Sequence, residues 1–249
     1  MGCDTTVQPP IPNPPDSLAV YSVVTTGDSS QYAVVARPRA ADERPLRYVQ
    51  NATVEIAGRR LLVVPEDSIS FGGFDPLTPP GESDANYVAD SLSVQPGETV
   101  RLRVSTDARE VTGTVQAPGA FTGVVDSMTV RWRPSAGAQT YRVRVRRYDD
   151  IGDVEWEYVT TTDDTTTTIP EETERYNSSF QPGPHEVLIT AVDPNLAGYR
   201  DEGVRRSGVE GGFGFFGALT RIGGTVTLPA TDEEKQANDP SILRPRADR

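Results

Sequence analysis

Residues 126–150, DSMTVRWRPSAGAQTYRVRVRRYDD, contain the clearest alternation of apolar and polar side chains in the chain. The apolar positions on either side of the turn sequence PSAGAQ are Met128, Val130, Trp132, Tyr141, Val143 and Val145. Successive side chains of a β-strand point to opposite faces, so this spacing predicts two antiparallel strands that bury one face and expose the other. The stretch therefore predicts a β-sheet protein.

The residues after this hairpin continue the strand pattern. The segment VEWEYVTTT follows, and then a Pro-Gly corner leads into a strand that ends TAVD. An early Trp, a Tyr that opens the next strand and this corner resemble a fibronectin type III module over residues 123–200. In that fold a tyrosine commonly follows the corner and bonds backwards. Here the position holds His185, the only histidine, and we expect its ring to make the same kind of bond.

The first block, residues 17–118, has the same character. The runs SLAVYSVVTT and QYAVVARPRA flank the turn GDSS and predict a hairpin. In TVRLRVSTD, the apolar positions Val100, Leu102 and Val104 alternate with polar ones. Short strands separated by frequent turns predict an all-β fold with two tandem immunoglobulin-like or fibronectin type III-like β-sandwich domains, at residues 17–118 and 123–228.

The segment GGFGFFG, residues 211–217, combines aromatic residues with glycines. Glycine permits close approach of the backbone, and the rings of Phe213, Phe215 and Phe216 carry a large area for burial. We interpret the segment as closing the second sandwich or packing between the two. The alternative is an exposed aromatic patch for a partner or a sugar. Residues 229–249 are polar, and we expect a disordered tail.

The charge of the chain limits its partners. The formal net charge is −12 at pH 7 and the pI is about 4.6. Nucleic acids and anionic lipid surfaces attract proteins that are rich in Lys and Arg, so we expect neither as a partner. No stretch approaches the ~20 apolar residues of a membrane-spanning helix.

The N-terminal residues 1–16, MGCDTTVQPPIPNPPD, contain the only cysteine, Cys3. A lone cysteine forms no internal disulfide, and no neighbour in this stretch argues for a buried or an activated thiol. The pair Gly2-Cys3 resembles the processed end of a bacterial lipobox, which implies an acyl lipid on Cys3. The prolines that follow predict an extended tether. The alternative is a terminal cysteine present by chance.

Two acidic clusters are weak candidates for calcium, which prefers oxygen ligands. One surrounds the sequence YDDIGD and the other follows the predicted strand ending TAVD. Their members are Asp149, Asp150 and Asp153 in the first, and Asp193, Asn195 and Asp201 in the second. The simpler interpretation is a hydrophilic loop in each case, and we expect no metal or other cofactor.

Other chemistry has little support in the sequence. Trp156 alternates with Glu155 and Glu157. We therefore expect it to be half exposed, where it would contact a partner or stack on a sugar ring or, more simply, cover a sheet edge. His185 is the only candidate base, and the chain has no nucleophile elbow, P-loop, dinucleotide fingerprint or zinc spacing.

The order of motifs as a whole resembles a family of uncharacterised Bacteroidota outer-membrane lipoproteins. The motifs are QNATVEIAG at residues 50–58, VQPGETVRLRV at 94–104 and GGFGFFG at 211–217. The family's function is unknown, and its members often occur beside TonB-dependent transporters. The resemblance implies a lipid-anchored protein at the cell surface or on the periplasmic face of the outer membrane.

Three hypotheses for function follow. The first is a non-enzymatic binding or accessory subunit of an outer-membrane assembly, with a transporter or another envelope protein as partner. The second is a structural or adhesive surface protein whose sandwiches act as spacers or self-assemble. The third is a carbohydrate-active enzyme that uses two facing carboxylates. The sequence identifies neither the ligand nor the oligomeric state.

Overall fold

The computed structural model describes residues 17–38, 47–65, 68–69, 85–170, 172–173, 178–202, 206–229 and 241–245. The predicted tether at residues 1–16, with Cys3, lies outside the described residues. Strands dominate the described chain, and the single helix found there, α1, spans Pro194–Glu202. The predicted all-β class is therefore confirmed. In the part of the chain that the structure describes, no helix has the length and apolar character needed to cross a membrane.

The first block contributes strands to two sheets. Its strands are β1 (Ala19–Thr25), β2 (Gln31–Arg37), β3 (Arg47–Tyr48), β4 (Thr53–Ile56), β5 (Arg59–Arg60), β6 (Leu62–Val63), β7 (Tyr87–Ala89), β8 (Thr99–Ser105) and β9 (Glu110–Gln116). β5, β4, β8 and β9 are neighbours in one sheet, whereas β1, β2, β7 and β6 are neighbours in another. Alternating apolar residues of both sheets, such as Val35, Val54 and Leu102, belong to one buried cluster. This is the first core.

The second block forms the second core. Its strands are β10 (Gly123–Asp126), β11 (Thr129–Trp132), β12 (Thr140–Tyr148), β13 (Val154–Thr162), β14 (Thr166–Thr168), β15 (Glu172–Thr173), β16 (Ser178–Ser179) and β17 (Gly183–Val192). β12 lies between β13 and β17, and β11 lies between β10 and β14. All six apolar positions predicted to face inward in residues 126–150 are buried in this core.

The closing segment joins the two blocks. It contains β18 (Arg206–Ser207), β19 (Val209–Glu210), β20 (Phe213–Leu228) and β21 (Ser241–Pro245). The first half of β20 pairs in parallel with β1, from Ala19↔Phe213 to Thr25↔Leu219. Its second half pairs antiparallel with β17, from Val192↔Leu219 to Gly183↔Leu228. One strand of 16 residues thus completes both cores.

Two of the predicted boundaries differ from the pairing in the structure. The segment 211–217 was expected to close the second sandwich or to pack between the two. β19 pairs with β9 and the start of β20 pairs with β1, so this segment pairs with the first block, while the rest of β20 continues into the second. The predicted disordered tail contains β21, which pairs with β10 and β20 and buries Leu243 in the second core. An apolar residue that completes a core outweighs the polar composition of its neighbours.

Helix α1 begins with the sequence Asp193-Pro194-Asn195. The Asp193 carboxylate accepts the backbone N–H of Asn195 at 2.9 Å and that of Leu196 at 3.3 Å, as an N-cap does. Proline suits the first helical position because its missing N–H has no partner there in any case. The helix covers the face of β20 that lies opposite the first core, since Leu196 and Ala197 cluster with Phe215 and Leu219.

Candidate functional site

Trp156, Phe180 and His185 form an aromatic cluster at one end of the second core. The rings of Phe180 and His185 are stacked with centroids 5.1 Å apart, and the Trp156 ring lies edge-on to both at 5.6 Å. Only 1% of Trp156 and 1% of His185 is exposed. The expected half exposure of Trp156 is therefore wrong, because the residue lies on the inner face of β13 and packs beneath the corner.

His185 has the structural role expected from its position. Its Nδ1 lies 2.9 Å from the carbonyl oxygen of Gly183, two residues back at the corner. Burial lowers the pKa of His185 from its ordinary value, and the nearby charge of Arg147 lowers the pKa further. The ring is thus held neutral in an aromatic enclosure. It has no path to a substrate in the described structure, since its Nε2 is buried.

The first acidic cluster shapes a turn. Asp149 Oδ1 accepts the backbone N–H of Ile151 at 3.0 Å and that of Asp153 at 2.8 Å. The backbone N–H of Asp149 also donates to the carbonyl of Asp153 at 2.9 Å. A carboxylate that bonds the backbone two residues on is a standard turn device. Asp150 is exposed, and among the described residues no group of three His, Cys, Asp or Glu side chains is close enough to hold a metal ion.

The second acidic cluster anchors helix α1 to β20. Besides capping α1, the Asp193 carboxylate accepts the backbone N–H of Ala218 in β20 at 2.8 Å. Asn195 Nδ2 donates to the carbonyl of Phe216 at 3.1 Å. Burial raises the pKa of Asp193 to about 6 despite the three N–H groups that lower it. The side chain of Asp201 lies outside the described part of the chain.

The three phenylalanines of the closing segment are divided between the faces of β20. Phe216 lies in the first core, whereas Phe215 points the other way, into the cluster beneath α1. Both side chains are 0% exposed, and Phe213, at the start of the strand, is half-buried. The alternative of an exposed aromatic patch is wrong for Phe215 and Phe216, because the strand is covered on both faces.

The acidic and aromatic residues described so far cap, turn or pack the fold, and a comparison with known families covers most of the chain. A model of the family described as "Domain of unknown function (DUF4249)" matches residues 4–198. The chain belongs to this family. The predicted membership in a family of unknown function is thus confirmed. The Bacteroidota origin, the lipid on Cys3 and the association with a transporter stay predictions. A comparison with curated proteins found no match.

The DUF4249 match ends inside α1, before the closing segment begins. β20 nevertheless supplies Phe216 and Ala218 to the first core and Ile222, Val226 and Leu228 to the second. The structural unit of this DUF4249 member therefore extends beyond the matched residues and includes at least β18–β21.

Within the described part of this DUF4249 member, the large apolar side chains that are exposed lie at two places. One is the tip of the β12–β13 hairpin, which we call the hairpin tip and define as Tyr148–Asp153; here Tyr148 is 42% and Ile151 is 84% exposed. The other is the sheet edge at β6, where Leu62 is 65% and Val63 is 47% exposed. Sequence reasoning did not single out Ile151, although an isoleucine within the acidic run YDDIGD was a visible signal of an exposed apolar residue.

The hairpin tip is held rigidly on the second core. Besides the Asp149 turn, Tyr148 Oη donates to Glu186 Oε2 at 3.0 Å, which ties the tip to β17. Gly152 has a φ of +91°, a conformation that a side chain would disfavour. The turn thus presents one isoleucine, surrounded by Asp149, Asp150 and Asp153, in a fixed direction.

Proposed function

We propose that the chain is a non-enzymatic, lipid-anchored protein of the cell envelope that acts as a binding or accessory subunit of an outer-membrane assembly. The candidate partner is a TonB-dependent transporter. The observation that carries the proposal is the hairpin tip, where a turn held by a carboxylate presents Ile151 at 84% exposure. The lipid anchor, the outer-membrane location and the transporter come from the resemblance of the sequence.

The physics of the tip favours a protein partner. Burying an isoleucine side chain contributes about 1.5–3 kcal/mol, and a turn that is already ordered loses little entropy on binding. The acids around Ile151 repel an anionic lipid surface, so insertion into a membrane is disfavoured. The socket that fits the tip is an apolar pocket with Lys or Arg at its rim.

We also propose that the two cores are immunoglobulin-like sandwiches and that the second is of the fibronectin type III kind. Trp132 and Tyr141 are in ring contact at 5.3 Å, and Tyr141 Oη accepts the backbone N–H of Ser135 at 2.7 Å. The bond of His185 to the corner supports the same assignment. A strand shared between two such modules departs from the usual pattern.

The anchor is tested by mass spectrometry of the N-terminal peptide from the native host. The proposal expects diacylglycerol or triacyl modification on Cys3. A Cys3→Ser variant is expected to leave the membrane fraction. An unmodified Cys3 in the native protein would remove the anchor and, with it, the membrane location.

The binding role is tested by photo-crosslinking in the native host. A photoreactive benzoylphenylalanine replaces Ile151 in one variant and Asp107, in the exposed β8–β9 turn, in the control. We expect one adduct at position 151, with its mass and peptides those of a TonB-dependent transporter, and none at position 107. Adding Asp149→Asn or Asp150→Lys to the position 151 probe is expected to reduce the adduct. Equal labelling at both positions would contradict the proposal.

A structural or adhesive role is the second candidate, and the continuous strand β20 favours it. Shared pairing with β1 and β17 makes the two cores one body, as a spacer requires. A spacer needs no partner at the tip, so an Ile151→Asp variant that behaves like wild type in the host would favour this role.

A further inference from the structure

The outer face of the sheet around β12 carries its side chains in rows that cross the strands. β12 lies between β13 and β17, and β17 pairs with the second half of β20. Val143 and Val145 of β12 face the second core, so the alternating residues Arg142, Arg144 and Arg146 point to the opposite face. We call this surface the arginine face and define it by the three rows of cross-strand neighbours that contain these arginines.

The row of Arg146 is balanced in charge. Its cross-strand neighbours are Glu157 in β13 and Glu186 in β17. Glu157, with 2% of its surface exposed, forms an ion pair with Arg146. Glu186 accepts a hydrogen bond from Tyr148 Oη at 3.0 Å. Both acids of this row therefore already have partners.

The row of Arg144 holds an unbalanced charge. Its cross-strand neighbours are Val159 in β13 and Leu188 in β17, and Gly223 follows in β20. Arg144 is half-buried, and its buried Nε has no hydrogen-bond partner among the described residues. Burial lowers the pKa of Arg144 from its ordinary value, the charge of Arg146 lowers it further, and the acids of the neighbouring row do not restore it. Buried charges in proteins are ordinarily paired, so this guanidinium favours an anion from outside the chain.

The row of Arg142 adds positive charge and no acid. Its cross-strand neighbours are Thr161 in β13 and Thr190 in β17, and Arg221 follows in β20. Arg221 lies 3.9 Å from Asp28 Oδ2, which is a long ion pair. The whole chain has a net charge of −12, yet the rows of Arg142 and Arg144 contain arginines and no acidic residue. A local excess of positive charge on an acidic protein favours an acidic partner at short range.

The spacing of the arginines fits an extended peptide. Alternate residues of a strand lie about 6.6–6.8 Å apart, and alternate side chains of any extended chain have a similar spacing. A guanidinium binds a carboxylate through two parallel N–H bonds. We propose that the arginine face binds an extended acidic segment of a partner protein, with one carboxylate on Arg144 and another, two residues along, beside Arg142.

The first test is an NMR titration of the ¹⁵N-labelled full chain with the acetylated peptide Glu-Ser-Glu-Ser-Glu. About 0.15 M salt limits repulsion by the rest of the acidic chain, because the Debye length is then about 8 Å. The Nε–Hε resonance of Arg144 is expected to shift and saturate with a Kd of roughly 0.1–1 mM. Arg144→Met is expected to weaken binding at least tenfold, read from the backbone amides of β12. Arg101→Met, at an exposed position of β8, is expected to bind like wild type.

The outcomes of this titration are distinct. The absence of a saturable shift, or equal weakening by Arg144→Met and Arg101→Met, would overturn the proposal. The peptide Gln-Ser-Gln-Ser-Gln is expected to cause no shift. Glu-Glu-Ser-Ser-Glu has the same charge but no two glutamates two residues apart, and it is expected to bind at least threefold more weakly. Equal binding of the two acidic peptides would rule out the extended fit. Inorganic phosphate that saturates the shift at lower concentration than the peptide would instead assign the site to a phosphate group.

The second test is thermal unfolding without peptide, which separates a binding role from a structural one. Arg144→Met keeps an unbranched stem and removes an unbalanced charge, so its melting temperature is expected to equal or exceed that of wild type. Arg146→Met leaves Glu157 buried without its ion pair and is expected to melt at a lower temperature. Equal losses for the two variants would show that the charge of Arg144 is balanced within the chain and would overturn the proposal. Neither test depends on the hairpin tip, the lipid anchor or the transporter, so a failure here leaves the proposed binding role standing.

Discussion

Replacing Gly214 by alanine tests whether β20 couples the two cores. Gly214 lies opposite Val20 in the parallel pair of β20 and β1, with a φ of +97°. A Cβ at this position would overlap the Val20 carbonyl oxygen and lie 2.8 Å from its carbon. Left-handed backbone costs an alanine about 1–2 kcal/mol. Displacing a packed strand adds about 1–3 kcal/mol. We expect Gly214→Ala to lower the free energy of unfolding by about 2–5 kcal/mol in total.

The control is Gly97→Ala. Gly97 has a φ of +82°, and a Cβ there meets no atom within 4 Å, so its cost is the backbone term alone. The difference between the two variants measures the close approach of β20 to β1, and we expect about 1–3 kcal/mol. If Gly214→Ala and Gly97→Ala lower the free energy of unfolding by the same amount, the close approach of Gly214 to Val20 is refuted.

The assay is urea unfolding followed by two signals. Both tryptophans, Trp132 and Trp156, lie in the second core, so their fluorescence reports on the block that Gly214 does not touch. Circular dichroism reports on all strands. Because β20 is one continuous strand, we expect the fluorescence midpoint of Gly214→Ala to move together with the circular dichroism midpoint. A fluorescence transition that stays at the wild-type midpoint would show that the cores unfold independently and refute the coupling.

Three further outcomes follow from buried ionisable groups. Burial raises the pKa of Asp193 to about 6, so the stability that it contributes is present below pH 3.8 and is lost as the pH rises through 6. Relative to Asp193→Asn, wild type is expected to lose about 2–3 kcal/mol of unfolding free energy between pH 4 and 7, and a relative gain over that range would contradict burial as the cause. Burial lowers the pKa of His185, so the stability that the ring contributes is present above pH 6.5 and is lost as the pH falls. The imidazole resonance of this single histidine in NMR spectra should titrate with a midpoint below 6.5, and a midpoint above that value would contradict burial of the ring in the aromatic cluster. Glu157 is 2% exposed and pairs with Arg146, so Glu157→Ala is expected to lower the free energy of unfolding by about 3 kcal/mol in thermal or urea unfolding. Glu110→Ala, at the exposed pair with Arg103, is expected to match wild type, and equal losses for the two variants would show that burial does not decide the strength of these pairs.

Alternation of side chains predicted the individual strands well. The six inward positions of residues 126–150 and the inward Val100, Leu102 and Val104 of β8 are all buried. Each of these strands has one face on a core and one towards water, and that condition produces a period of two in the sequence. The prediction of half exposure failed for Trp156. Its neighbours Glu155 and Glu157 point to the opposite face of β13, so their charge carries no information about the face that the tryptophan occupies.

β20 could not be predicted in the same way. Its first half is buried on both faces, between the first core and α1, and a strand covered on both faces loses the period of two. Its partner β1 lies near the other end of the sequence. The glycines of residues 211–217 indicate a close approach of the backbone, but the apolar and polar pattern does not identify β1 as the strand that Gly214 approaches. α1 has little amphipathic pattern of its own, so the only local signal for it was the Asp-Pro pair at its start.

The acidic clusters illustrate why composition is a poor guide to chemistry. Asp149 and Asp193 were grouped with neighbouring oxygens as weak calcium candidates. Each instead accepts backbone N–H groups, two for Asp149 and three for Asp193. A carboxylate followed closely by a turn or a helix start satisfies the backbone locally, without any ion. The spacing of these acids in the sequence therefore does not distinguish a carboxylate that caps a turn or a helix from one that binds a metal ion.

The shared strand also bears on how the hairpin tip would act on a partner. The tip belongs to the second block, and β20 joins that block to the first through continuous pairing with β1 and β17. A flexible linker between the two cores would let the tip sample many directions, and ordering them on binding would cost free energy. One strand through both cores removes that freedom. A partner that contacts the first block as well therefore meets the tip at one fixed place, and the second contact raises the affinity only where the span fits.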